Sequence, residues 1–399
     1  MSGNYNLKLR KNQYLLPSGH MGWPFIGNML TFVKDFSSGH PDSFIKNLVS
    51  RYGRIGIYKT HLFGSPSIIV CEADMCRQVL TNDETFKIGY PKSTKEVMRC
   101  KPVWSFSRKE HMRFRRLISS LTMGHNTLEM YIPRIEDIVI NSLEELSSMS
   151  HSIEFLKEMK NISFNIIIDI FLGSYNQHII TKIGNSFTDM HAALFSMPIN
   201  LPGFAFRKGL MAREKLAKLV KPIVEERRSM IKNGEKTKDK DLLDIFLEAR
   251  DEDGWKPDDD DIIDMLIGIV LAGHEATANT MMWSMIYLTQ NPHIMKKAKD
   301  EQEEIMKMRL PTQKQLSLKE IKKMVYLSQN HNAKVGTFLP FGAGSRHCPG
   351  SDLAKIEISI FLHYFLNNYK LEIVNPECPM TCLPSSKPID NCLARVIKI

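Results

Sequence analysis

No stretch of the 399-residue chain reaches the ~18–20 uninterrupted apolar residues of a membrane-spanning helix, although 43% of its residues are hydrophobic. The opening residues are polar and basic, with no apolar signal core and no anchor. The sequence therefore reads as soluble or peripherally attached. Disulfide spacing is lacking too: seven cysteines, an odd number, stand at positions 71, 76, 100, 348, 378, 382 and 392. That pattern fits a reducing compartment. Cys378 and Cys382 have neither the second pair nor the nearby histidine that a zinc site needs. Internal repeats are absent.

What is present is a globular composition with 24% charged residues and a formal charge of +9. The excess positive charge suits an acidic protein partner, an anionic membrane surface, or simply a lysine-rich solvated face. Nucleic acid fits less well, because the basic clusters at 113–116 and 232–240 have no interleaved aromatics.

Along the chain, residues 17–27 form a Pro/Gly-punctuated lead-in, and helical text follows to about Tyr52. Residues 56–60 and 67–71 read as two strands around a turn at Gly64, Ser65 and Pro66. From Cys100 to Gln290 the pattern is helical, including residues 139–149, 155–172 and 211–232, the last interrupted by Pro222. Residues 197–206 make an apolar loop, either an entrance that touches lipid or substrate, or a buried connection. A long helix runs from about Asp261 to Gln290 and stops before Pro292.

The strongest chemical signal is residues 341–350, Phe-Gly-Ala-Gly-Ser-Arg-His-Cys-Pro-Gly. Glycines around the single Cys348 let the backbone approach a flat ligand closely. Pro349 suits the first turn of a helix whose positive end favours thiolate over thiol. Arg346 is placed to meet a carboxylate by a forked contact.

Inside the long helix, residues 272–277 read Ala-Gly-His-Glu-Ala-Thr. Ala272 and Gly273 would let a flat cofactor lie against the helix, while Glu275 and Thr277 could hold water for proton delivery. His111 and Arg115, four apart, share a helix face, and Trp104 and Arg108 are a rival pair with the same spacing.

Together these motifs resemble the cytochrome P-450 family. Residues 341–350 match every fixed position of its Phe-x-x-Gly-x-Arg-x-Cys-x-Gly loop. The lead-in at 22–27, the stretch at 38–43 and the tail at 352–363 resemble the plant branch that oxidises cyclic terpenoids. The resemblance implies a mainly α cytochrome P-450 fold with a small β-sheet, a single domain over residues 1–399. It implies heme b ligated by Cys348, with Phe341, Gly344, Gly350, Ala272 and Gly273 against the ring and His111, Arg115 and Arg346 toward its propionates. It also implies an NADPH-dependent flavin reductase as partner, a small apolar terpenoid such as a triterpene as substrate, and the cytosolic face of the endoplasmic reticulum membrane.

Two departures stand out. The family's hydroxyl residue directly follows the acid, where this chain has Ala276 and puts Thr277 one place later. Only 73 positions separate Glu275 from Cys348, and no Glu-x-x-Arg occurs between residues 291 and 348. The chain thus reads as internally truncated, without the family's bracing helix, several strands and N-terminal anchor. Missing strands would leave Ile68, Ile69 and Val70 as an apolar edge. Three readings stay open: an active hydroxylase, an inactive truncated remnant or splice variant, and a helical protein that binds apolar ligands without redox chemistry.

Overall fold

The computed structural model describes residues 16–99, 108–173, 177–235, 241–250, 254–309, 313, 315–328 and 337–399. They divide into two units. The first takes the described residues within 16–92, 337–347 and 379–389; the second takes those within 93–328, 348–378 and 390–399.

In the first unit, helices Met29–Ser37 and Pro41–Tyr52 pack Phe32, Phe36, Phe44 and Leu48 over Tyr58 and Leu62. Pro41 opens the second helix, where its missing N–H costs nothing, and Gly53 closes it at φ 81°. The expected hairpin forms, as Ile57–Leu62 against Ser65–Val70. Its turn is Phe63-Gly64, one residue earlier than expected, with φ 51° and 76°. Two left-handed residues in a two-residue loop match the right-handed twist of the strands. Among the described residues the sheet has only these two strands, so Ser65–Val70 keeps an open edge, and Ile68 is 50% exposed. The Met380–Thr381 and Lys387–Pro388 strands add a small separate pair.

The second unit is helical around one large core. Helix Phe155–Leu172 buries residues on nearly every side, so it is central rather than amphipathic. It packs on the long helix Asp259–Gln290, on His125–Ser148 and on Gln177–Ala193. Helix Ser351–Asn368 completes the bundle. Each fully buried Ile, Leu or Phe here stabilises the fold by ~1.5–3 kcal/mol before the entropy of ordering is charged. Helix Ala205–Lys232 runs through Pro222 without a break, correcting the expected interruption.

Arg227, 7% exposed, donates to Asp241, Asp244 and the Leu172 carbonyl at 2.8, 2.8 and 3.0 Å, tying three helix ends together. A three-stranded antiparallel sheet has Leu393–Lys398 between Tyr369–Ile373 and Ile153–Glu154. Asn391 and Cys392, at φ 57° and 61°, turn their carbonyls onto the first free N–H groups of the central helix.

The apolar loop after Ala193 is exposed rather than buried, with Met197 53% and Leu201 57% accessible. Among the described residues no helix is long and apolar enough to cross a membrane.

Candidate haem-thiolate site

Residues 341–350 form a turn, a short 3-10 segment at Gly344–Arg346, and a bend that delivers Cys348. Phe341, Gly344 and Arg346 belong to the first unit, Cys348 and Gly350 to the second. Gly344, at φ 67°, has no room for a side chain: a Cβ there would lie 2.5 Å from the Leu80 carbonyl oxygen. Ser345 donates to Asp83 on the same side. Cys348 is a free, half-buried thiol.

The helix after it starts at Ser351 with Gly350 as its cap, two residues later than expected, so Pro349 precedes the helix rather than opening it. The Thr122 hydroxyl donates to the Pro349 carbonyl at 2.6 Å and pins the bend from helix Arg108–Thr122.

That helix buries His111, Phe114, Ile118 and Thr122 along one stripe, with Arg115 half-buried beside His111. Arg113 points elsewhere, its guanidinium 5.4 Å over the Trp255 ring. Trp104 and the side chain of Arg108 lie outside the described residues.

The long helix is buried on most of its circumference but open along one stripe. Ala272, Ala276 and Thr280 are exposed at four-residue steps, and Gly273 is half-exposed beside them. A Cβ on Gly273 would meet Ile167 at 3.3 Å, so glycine also serves close packing on the central helix.

Glu275 and Thr277 lie on opposite shoulders of this stripe, because two helical residues turn through ~200°. Thr277 is buried and donates back to the Gly273 carbonyl at 2.9 Å. Glu275, 5% exposed, accepts from Lys160 Nζ at 3.0 Å, with His191 Nδ1 at 3.6 Å and His274 Nε2 at 3.8 Å. The expected Glu275–Thr277 pair is therefore not brought together.

Burial pushes the Glu275 carboxyl up, but His191, Lys160 and His274 outweigh it and hold it below the usual carboxylate range. His274 sits 5.5 Å from both the Phe164 and Phe187 rings with Nδ1 on the Val270 carbonyl, and its burial lowers its pKa. Lys160 and His191 had no sequence signal. They come from two other helices, and only the fold aims them at residue 275.

The cytochrome P450 family model matches residues 17–332 and 328–390. The chain belongs to the cytochrome P450 family. It is accordingly an oxidoreductase of the monooxygenase class, whose cofactor is a thiolate-ligated haem. The chain is 57% identical to beta-amyrin 11-oxidase of Glycyrrhiza uralensis, covering 99% of this chain and 93% of that one. It is 40% identical to ent-kaurenoic acid oxidase 1 of Arabidopsis thaliana, covering 98% and 93%.

The retinoic acid-bound cyanobacterial CYP120A1 has the same fold, with a TM-score of 0.83 at 21% identity over 97% of this P450 and 100% of that chain. The alignment with the Glycyrrhiza oxidase runs 459 positions against a chain of 399, so at least 60 positions of it face a gap on this side. The two family matches overlap at residues 328–332.

The residues present fit a haem. A free thiol stands before a helix N-terminus, small side chains line an open helical stripe, and the glycine of the loop is sterically required.

Proposed function

We propose that this P450 hydroxylates a cyclic terpenoid, a triterpene such as β-amyrin, at an unactivated carbon. It would use O2 and electrons passed from NADPH by a flavin reductase at the cytosolic face of the endoplasmic reticulum membrane. The observation that carries the reading is the complete loop around a free, half-buried Cys348, in a chain 57% identical to a β-amyrin oxidase.

Cys348 would hold the iron, Ala272, Gly273, Phe341, Gly344 and Gly350 would admit the ring, and His111, Arg115 and Arg346 would meet its carboxylates. When bound, the haem supplies oxygen activation. The chain's own part is to bind an apolar substrate, keep bulk water off it, and bring protons to the open stripe through Glu275. Thr277, bonded to Gly273 on the other shoulder, is a poor second member of that relay.

The test is the carbon monoxide difference spectrum of the reduced chain, followed by turnover of β-amyrin with reductase. A red-shifted thiolate band that vanishes in Cys348→Ser supports the reading. No band in the parent chain would overturn it.

A second reading, an inactive remnant, is favoured by the gap of at least 60 positions against the relative. It predicts helical folding without stoichiometric haem. Cooperative unfolding of a haem-loaded chain would count against it.

A further inference from the structure

Within the second unit, one side chain from outside the loop of residues 341–350 reaches the backbone next to Cys348. Thr122 ends helix Arg108–Thr122 and is 2% exposed. Its Oγ1 lies 3.0 Å from the Ile118 carbonyl oxygen of its own helix and 2.6 Å from the carbonyl oxygen of Pro349. A helical threonine ordinarily donates back to the residue four before it. The hydroxyl has one hydrogen, and the shorter contact, to Pro349, takes it.

The Pro349 carbonyl needs that donor. The first ladder bond of helix Ser351–Asn368 runs from the Ala354 N–H to the Gly350 carbonyl at 2.9 Å, so the Pro349 carbonyl stands one residue outside the ladder. The pyrrolidine ring fixes φ of Pro349 and leaves ψ as the soft dihedral before the next peptide plane. Beyond that plane comes Gly350, at φ −93°, with nothing within 4 Å of where a Cβ would stand. Sterics therefore do not hold the Pro349–Gly350 peptide, because glycine accepts either sign of φ. The bond from Thr122 does.

A planar trans peptide carries its C=O and N–H on opposite edges. Fixing the Pro349 carbonyl on Thr122 thus fixes the Gly350 N–H as well. Proline has no N–H, so Gly350 supplies the first backbone donor after Cys348. A flip of this one peptide would exchange donor for acceptor two residues from the sulfur. A thiolate is stabilised by backbone N–H groups and repelled by carbonyl oxygens.

We propose that Thr122 is a positioning residue for Cys348. Its hydroxyl holds the Pro349–Gly350 peptide against flipping, and the held orientation keeps the segment after the thiolate presenting a donor. The inference rests on the haem-thiolate reading but adds a residue that lies outside the loop pattern. No proton or electron is transferred; one hydrogen bond sets one backbone dihedral.

The experiment has two arms. Thr122→Val keeps the shape and removes the donor, and Thr122→Ser keeps the donor. The first arm follows amide hydrogen exchange by mass spectrometry in the haem-free chain. Residues 348–354 are expected to exchange several-fold faster in Thr122→Val and at the parent rate in Thr122→Ser, with helix Phe155–Leu172 unchanged throughout. Unchanged exchange at 348–354 overturns the proposal. Equal acceleration in both segments also overturns it, since Thr122 would then only support the fold. Should Thr122→Val not fold, the parent chain decides, with proline labelled with 13C at the carbonyl and Pro349→Ala to identify the resonance. One hydrogen-bonded Pro349 signal is expected, and two signals refute the held orientation.

The second arm uses haem-loaded protein in urea below the unfolding transition. The thiolate band of the reduced carbon monoxide complex is expected to decay several-fold faster in Thr122→Val than in the parent, with Thr122→Ser restoring the rate. Equal decay in all three overturns the link to the thiolate. Absence of the band from the parent would sink the monooxygenase reading alone, because the first arm needs no haem and still decides whether Thr122 holds the peptide.

Discussion

Glu357 is 1% exposed on helix Ser351–Asn368, and its carboxyl has one partner among the described residues, the Ser163 hydroxyl donating at 3.3 Å to Oε2. Oε1 has none. Burial pushes this acid up to about 8, against the smaller opposing effect of Ser163. The folded value lies above the unfolded one of 4.5, so the group favours folding fully below pH 4.5, and that contribution is lost as pH rises toward 8.

Each pH unit across that window is worth about 1.4 kcal/mol, which makes the handicap at pH 8 roughly 3–5 kcal/mol relative to a neutral side chain of the same shape. Glu357→Gln removes the titration and keeps the volume. Equilibrium urea unfolding followed by helical circular dichroism, at pH 5, 6, 7 and 8, should show a difference between variant and parent that widens steadily with pH in favour of the variant. Parallel stability curves would refute the reasoning, since they would mean the carboxyl is solvated or paired in the folded chain.

His363 works in the opposite direction. Burial and the nearby Arg309 hold it at about 4 despite Glu320, so its stability contribution is complete above pH 6.5 and fades as pH falls toward 4. The loss is about 3 kcal/mol, and His363→Leu should remove that slope from an acid unfolding titration. Arg227→Met strands Asp241 and Asp244, 5% and 2% exposed, without their cation, and should cost about 3–5 kcal/mol in urea unfolding at pH 7. Gly344→Ala puts a methyl 2.5 Å from the Leu80 carbonyl oxygen at φ 67°, and should cost about 1–3 kcal/mol and lower haem retention in gel filtration.

Much of this fold was legible because it follows from local periodicity. The central helix matches its expected bounds of 155–172, and the long helix starts two residues earlier than read. The hairpin was found but its turn was displaced, since Ser65-Pro66 looks like a turn pair while Phe63 at φ 51° is an unlikely left-handed residue. Pro222 misled in the same way. A proline breaks an isolated helix, whereas here Leu216, Val220, Ile223 and Val224 are buried on either side of it and hold the helix together. The three-stranded sheet was not read at all, because its strands come from residues 153–154, 369–373 and 393–398 and one of them is two residues long.

The site divides along the same line. Cys348 and its glycines are a contiguous string, so sequence alone singles them out, and the steric demand at Gly344 is its structural counterpart. The residues proposed for proton delivery are not held together by the spacing alone. Adjacent acid and hydroxyl residues sit ~100° apart on a helix and can flank one open stripe, but a spacing of two turns them ~200° apart. Ala276 therefore does more than move a hydroxyl by one place. It sends Thr277 to the far shoulder, bonded to Gly273, and leaves Glu275 facing Lys160. A helical wheel could not have found Lys160, which lies 115 positions away and reaches Glu275 only once two helices have packed.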